Sequence, residues 1–305
     1  AMHLNDAFGH QPFLRSIYNH HEQACSIAAE GYARLTDRVA AVCVTSGPRG
    51  TNAITGVLGG WQDSIPMFIV SGQVKRETTT WSTDVPVRQL GDQEFQIIDC
   101  VKGMTKYAVM VTDPESIRYH LEKAWYYCNN GRKGPVWLDI PLDVQAALID
   151  DENLVGFDVA EIENPENPYY DQELTQVILG KLSQAKRPVI LAGSGIRLGE
   201  AQEDLLALVE KLNIPVVTAW NAHDVIANDN PCYCGRPGTV GTRGGNFIVQ
   251  NCDVLLVLGC RMNIRQISYN RLQFAQNAQI IMVDIDEAEL RKPTIKVDVP
   301  IHANV

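Results

Sequence analysis

Val39-Ala40-Ala41-Val42-Cys43-Val44-Thr45-Ser46-Gly47-Pro48-Arg49-Gly50-Thr51-Asn52 is the stretch that decides the fold. Val39–Thr45 is an apolar run of strand length. Ser46–Gly50 is a loop of small residues around one proline, and Thr51–Gly60 reads as a helix. A strand without in–out alternation is buried on both faces, the condition of a parallel sheet covered by helices. Working outward, Arg15–Tyr18 reads as a short strand, Glu22–Leu35 as an Ala-rich helix and Met67–Ser71 as the next strand. Asp113-Pro114-Glu115 offers an N-cap, a proline at the first helical position and an early acid. Ile117, Leu121, Ala124, Trp125 and Cys128 then mark one face of a helix that Gly131 closes, and Val136–Ile140 is a strand.

A second block repeats the rhythm. Pro188–Ala192 is a strand, Gly193-Ser194-Gly195 a turn, and Leu205, Leu208, Val209 and Leu212 a helix face. Strands follow at Ile214–Thr218, Val254–Leu258 and Ile280–Ile285. The expected class is α/β, with two doubly wound parallel-sheet domains. Between the blocks, Gly134 to Gly180 contains no Lys or Arg, while Asp150, Asp151, Glu152, Asp158, Glu161, Glu163 and Glu166 accumulate beside Pro165 and Pro168. This reads as an acidic linker over 148–172, dividing a domain at 1–147 from one at 173–305.

A length of 305 residues suits two domains with a core each. The formal charge of -10 and the lack of a basic run argue against nucleic acid or an anionic membrane as partner. The longest apolar runs are strand-sized, so no transmembrane span is expected, and the start has no signal-peptide pattern. Eight cysteines, most in apolar segments, read as reduced and buried, which points to the cytoplasm. Cys232 and Cys234 are the only close pair. With no second pair and no nearby His, no zinc site is expected and no metal ligand is assigned.

Taken alone, His20-His21-Glu22 is ambiguous. Adjacent histidines suggest a metal, yet sequence neighbours point apart and i,i+4 partners are absent. A solvated glutamate at a helix start, favoured by the dipole, is the plain alternative. Against it, a carboxylate at the carboxyl end of a strand in a doubly wound sheet sits where ligands bind. Ala24, Ala28, Ala29, Gly31 and Ala33 allow very close helix packing, of the kind found where subunits meet. The Ser46–Gly50 loop lets a ligand approach the backbone. Neither GxGxxG nor GxxxxGK[ST] occurs, which removes the usual dinucleotide and P-loop readings.

Further segments carry a resemblance: His21-Glu22-Gln23-Ala24, Ala29-Glu30-Gly31-Tyr32-Ala33-Arg34, Val44-Thr45-Ser46-Gly47-Pro48, Thr51-Asn52, Asp63-Ser64-Ile65-Pro66-Met67, Ser71-Gly72-Gln73-Val74, Phe95-Gln96 and Gly134-Pro135-Val136-Trp137-Leu138-Asp139-Ile140-Pro141. In order and spacing, residues 1–145 resemble the pyrimidine-binding domain of acetolactate-synthase-type thiamine-diphosphate (ThDP) enzymes. The block from Arg187 to Asp286 is similar to their Rossmann-like central domain. The resemblance implies decarboxylation of a 2-keto acid and carboligation of the remaining fragment, as in branched-chain amino acid biosynthesis, by a homodimer or homotetramer. It implies that Glu22 hydrogen-bonds the aminopyrimidine of ThDP and relays the proton that activates the cofactor, with Gly47, Pro48 and Asn52 beside it. Pro48, Phe95, Gln96 and Lys106 match positions lining the substrate channel. Gly193-Ser194-Gly195 and Gly259-Cys260-Arg261 resemble segments that contact FAD, but Met262-Asn263-Ile264-Arg265 lacks the paired Asp usual there, which leaves FAD open.

The family holds Mg²⁺ and the diphosphate through a Gly-Asp-Gly with a later Asn-Asn. No Gly-Asp-Gly occurs here, and Asn129-Asn130 reads as a helix end. The expectation is an incomplete chain, inactive alone, with Mg²⁺ held by an absent domain or another chain. Other ThDP lyases, decarboxylases and sugar-modifying enzymes stay open as alternatives, as does a non-catalytic module of the same fold. An independent nucleotide-binding domain lacks a ribose-binding acid at fingerprint spacing.

Overall fold

The computed structural model describes residues 1–162 and 172–305. Glu163, Pro165, Glu166 and Pro168 of the expected linker lie outside the described residues. The chain divides into two compact units, Ala1–Pro165 and Glu166–Val305.

In the first unit, β1 (Ala40–Val44), β2 (Met67–Gln73), β3 (Tyr107–Met110) and β4 (Val136–Pro141) form one parallel sheet in the order β1-β2-β4-β3. The central strands β2 and β4 are buried along their whole length, as strands covered on both faces are, with Ser71, Gln73 and Asp139 the polar residues among their apolar ones. Register places Ser71 between Val44 on one side and Asp139 on the other. Three helices lead the unit: α1 (Met2–His10), α2 (Glu22–Thr36) and α3 (Pro48–Gln62). His21 is the N-cap of α2, its Nδ1 accepting from the Gln23 N–H at 3.1 Å. One of the two adjacent histidines is thus explained by capping rather than by a metal. Gly47 is the N-cap of α3 at φ +63°, and Pro48 supplies a fixed helical φ where no N–H is needed.

Three expectations are corrected. Arg15–Tyr18 is not a strand; it is exposed and unpaired, and a lone segment has no neighbour to satisfy its backbone. The helix Ile117–Asn129 buries Ala124 and Cys128, but Leu121 and Trp125 of the supposed inner face are exposed. Asp113 does cap its entry, accepting from the Glu115 N–H at 3.1 Å, although the first turn is 3₁₀. Among the cysteines, Cys128, Cys252 and Cys260 are buried, Cys25, Cys43, Cys232 and Cys234 half-buried, and Cys100 exposed.

In the second unit, β5 (Pro188–Ala192), β6 (Val216–Thr218), β7 (Val254–Leu258), β8 (Gln279–Asp284) and β9 (Val299–His302) form a parallel sheet in the order β6-β5-β7-β8-β9. Counted within the unit this is the 2-1-3-4-5 order of doubly wound sheets, whose switch point lies between β5 and β7. Its core is a single cluster of aliphatic side chains from the strands and their covering helices, with Ile190, Leu191, Leu255, Leu256 and Ile281 at the centre. Among the described residues, no helix is long and apolar enough to cross a membrane.

Candidate functional site

The site is set by a seam between α2 and α3. At its middle the helices touch backbone to backbone. A Cβ on Gly56 would lie 2.4 Å from Ser26 Oγ and 2.6 Å from the Ser26 carbonyl carbon. One turn further on, a Cβ on Gly59 would meet Glu30 Oε2 at 2.9 Å. Beyond that, Arg34 Nη2 donates to Asp63 Oδ2 at 2.7 Å and to Glu30 Oε1 at 2.6 Å. One turn back from Ser26 and Gly56 stand Glu22 and Asn52, and Asn52 Nδ2 donates to Glu22 Oε2 at 3.1 Å. The helices therefore run parallel in matched register, and their first turns present Glu22 and Asn52 together at the carboxyl edge of the sheet.

The Glu22 side chain is 22% exposed, with Arg49 Nε 3.8 Å from Oε1. One carboxylate oxygen is held by Asn52, and the other faces only this longer contact among the described residues. That arrangement fits a ring nitrogen approaching Oε1. Gly47 has a different explanation. A Cβ there would lie 2.1 Å from the Gln93 carbonyl oxygen, so the glycine admits the chain's own backbone. Gln93, itself at φ +58°, accepts through Oε1 from Arg49 Nη1 at 3.1 Å. Pro48 is exposed beside it.

The following residues alternate. Glu94 is buried, Phe95 is 40% exposed, and Gln96 turns its amide inward to Thr80 Oγ1 at 2.9 Å. The Phe95 carbonyl accepts from Gln73 Nε2 at 2.9 Å, and the same nitrogen donates to Asp139 Oδ2 at 3.0 Å. Asp139 Oδ1 accepts from Ser71 Oγ at 2.5 Å, and Ser71 Oγ accepts from Trp137 Nε1 at 2.8 Å. Burial pushes the Asp139 carboxyl up to about 6, against the opposing pull of its Ser71 and Gln73 donors. Arg49, Glu94 and the Gln73–Asp139 pair were not singled out from sequence. Only Asp139 carried a signal, as an acid inside an otherwise apolar strand.

Lys106 is not brought to this cluster within the unit. It precedes β3 at the amino edge of the sheet, with Nζ donating to the Asn130 carbonyl at 2.6 Å. A Cβ on Gly134, beside Lys106, would reach the ring of Trp61 at 3.7 Å. Lys106 thus stands near the last turn of α3 and Pro48 at its first, a helix length of about 22 Å away.

In the second unit, Gly193 and Gly195 do lie at the switch point, but their space is filled by the chain itself. A Cβ on Gly193 would lie 2.2 Å from the Gly259 carbonyl oxygen, and one on Gly195 2.6 Å from Gly259 Cα. Their N–H groups donate to the carbonyls of Leu258 and Gly259, each at 2.9 Å. Neither donor is left for a dinucleotide phosphate. Arg261 lends its carbonyl to Lys292 Nζ. Gly193 and Gly195 therefore give no support to an FAD cradle. Among the described residues, no group of three or more His, Cys, Asp or Glu side chains is placed to hold a metal.

Comparison with known proteins agrees with this two-unit layout. Residues 1–100 match the family described as "Thiamine pyrophosphate enzyme, N-terminal TPP binding domain", and residues 175–305 match "Thiamine pyrophosphate enzyme, central domain". The chain is 37% identical over 307 residues to the probable acetolactate synthase large subunit of Methanococcus aeolicus, covering 97% of this chain and 48% of that protein. It is 34% identical over 291 residues to the acetolactate synthase isozyme 1 large subunit of Escherichia coli, covering 94% and 48%. With the acetolactate synthase large subunit of Lactococcus lactis the identity is 33% over 301 residues, covering 98% and 50%. The chain spans about half the length of the curated relatives it matches.

Proposed function

For a chain that belongs to the thiamine pyrophosphate enzymes through both its N-terminal and its central domain, we propose an acetolactate-synthase-like role, with Glu22 as the carboxylate that activates ThDP. The observation that carries the proposal is the Glu22–Asn52 pair at the head of the α2–α3 seam. When bound, ThDP supplies the electron sink for decarboxylating a 2-keto acid and passing on the remaining fragment. Glu22 holds and returns a proton at Oε1, while Asn52 fixes the carboxylate through Oε2. A half-buried side chain suits this task, because it is shielded from bulk water yet reachable by a ring nitrogen. Phe95 and Pro48 border the entry for the keto acid. Gln96 serves there through the loop it braces, since its amide nitrogen is already engaged.

We read 1–147 as the pyrimidine-binding part, 148–172 as linker and 173–305 as the central part. No ligand for Mg²⁺ and no flavin contact is assigned in this chain, the latter because Gly193 and Gly195 are occupied by packing on Gly259. We place a second copy on the exposed face of α2 that carries the apolar residues Ile27 and Leu35.

The test is Glu22→Gln in the intact protein with its natural partners. Gln keeps the shape and loses the proton-holding group, so pyruvate turnover should fall by about 100-fold or more while ThDP still binds. Undiminished turnover would remove Glu22 from the mechanism.

A further inference from the structure

Between β2 and the short helix Ile97–Val101 the chain makes a long excursion containing two 3₁₀ turns, Arg76–Thr78 and Thr80–Ser82. Residues 83–96 have no helix or strand of their own. A segment this long without regular structure keeps one shape only if something inside it satisfies its backbone. Beside local turns such as Val87 N–H to the Val85 carbonyl and Glu94 N–H to the Gly91 carbonyl, one side chain links distant parts of the segment. Glu94, 6% exposed, accepts at Oε1 from the Thr80 N–H and the Thr80 hydroxyl, both at 2.9 Å, and from Gln96 Nε2 at 3.4 Å. At Oε2 it accepts from the Leu90 N–H at 3.1 Å. Every partner is a donor, so the position calls for a group that only accepts.

We propose that Glu94 is a positioning residue: it ties Thr80, Leu90 and Gln96 into one fixed loop and so sets where Phe95 stands beside the Glu22 site. The connection to that site is short. Gln93, next in the chain, presses its carbonyl against Gly47 and takes a hydrogen bond from Arg49, whose Nε lies 3.8 Å from Glu22 Oε1. On the far side of Glu94, the Phe95 carbonyl is held by Gln73. With Glu94 in place the Phe95 backbone is fixed from both sides and only its ring is free to meet a ligand. The significance for catalysis rests on the reading of Glu22 given above; the clamp itself does not.

The experiment pairs amide hydrogen exchange with steady-state kinetics on the intact protein. Glu94→Gln puts a donor where only donors arrive, and Glu94→Ala removes the acceptor. Either should speed exchange in peptides spanning 78–92 by about tenfold or more. In Glu94→Gln, KM for the keto acid should rise several-fold with kcat held within about twofold, because the loop positions substrate and does no chemistry. Phe95→Ala should reproduce the KM rise without faster exchange in 78–92. Unchanged exchange in both Glu94 variants overturns the clamp. Faster exchange with wild-type KM and kcat overturns its link to Phe95. Full turnover in Glu22→Gln would instead sink the ThDP reading, and exchange alone would then decide the clamp.

Discussion

Asp139→Asn measures what a buried acid contributes to the first unit. In the native chain Asp139 Oδ1 accepts from Ser71 and Oδ2 from Gln73, while Ser71 accepts from Trp137. Burial raises the carboxyl from the usual 3.8 to about 6. A folded-state value above the unfolded one means that the folded chain holds the proton more tightly. The resulting stability is fully present below pH about 4 and is lost as the pH rises through about 6. About two units, at about 1.4 kcal/mol each, amount to about 3 kcal/mol. Asparagine has no charge to bury, but one of its head atoms is a donor. It faces either the Gln73 amide, also a donor, or the Ser71 hydroxyl, whose proton then loses its acceptor. One hydrogen bond goes, at a cost of about 1–3 kcal/mol. That cost is relative to the ionised carboxylate; at pH about 4 the native carboxyl is protonated and carries a donor of its own among the same partners, so the two proteins should be close in stability there. Between pH about 4 and about 7 the native chain should lose about 2–3 kcal/mol relative to the variant. Urea unfolding followed by tryptophan fluorescence reads this, since Trp61, Trp81, Trp125 and Trp137 lie in the first unit and only Trp220 in the second. Curves of stability against pH that run parallel for the two proteins would refute the reasoning.

Gly56→Ala should destabilise the first unit by about 1–3 kcal/mol and lower turnover as well, because the new methyl group meets the Ser26 backbone and parts the helices. Gly31→Ala, with nothing of its own chain within 4 Å of its Cβ but lying between Ile27 and Leu35 on the face given to a second copy, should spare the stability of the chain itself, and a loss equal to that of Gly56→Ala in a Leu35→Asp background would refute the seam. Leu35→Asp places a charge on the exposed apolar face of α2 and should shift the intact protein to a smaller species in sedimentation velocity. An unchanged sedimentation profile would move the second copy off this face.

The strands legible in sequence were those whose burial leaves no ambiguity. β5 and β7 are unbroken apolar runs and β2, β4 and β8 mainly apolar ones, and their limits came within a residue or two of the observed ones. β3 and β9 were not singled out: each is only four residues long, and β9 is interrupted by Pro300 and closed by His302. Arg15–Tyr18 failed in the opposite sense, having strand composition and no neighbour. At the site, Glu22 and Asn52 could each be named from the segments around them. Their pairing could not, since it follows from Gly56 meeting Ser26 across two helices. Glu94 was invisible because an acid in the polar run Asp92-Gln93-Glu94 reads as solvated surface, and only the folded loop shows four donors converging on it. Lys106 stands at the other edge of the sheet from Glu22 within its own unit, which the sequence match could not foretell. A role carried over by matching residues says nothing about which edge of the sheet the residue occupies.

The glycine contact between α2 and α3 limits how the Glu22 carboxylate can move over time. Where two helices are separated by a layer of side chains, rotamers and small repackings shift their spacing by fractions of an ångström. Here there is no such layer at Ser26 and Gly56, so the helices can be displaced only by riding one ridge over the next. The position of Glu22 relative to Asn52 is thereby a matter of register, held or lost in whole steps, and cannot drift. Substitutions on the outer faces of the two helices are free to alter solubility, partners or stability while the carboxylate stays where it is. The loop that carries Phe95 has no such backbone contact at Phe95 itself; its shape rests on the side-chain acceptor Glu94, so single substitutions there can alter it by degrees.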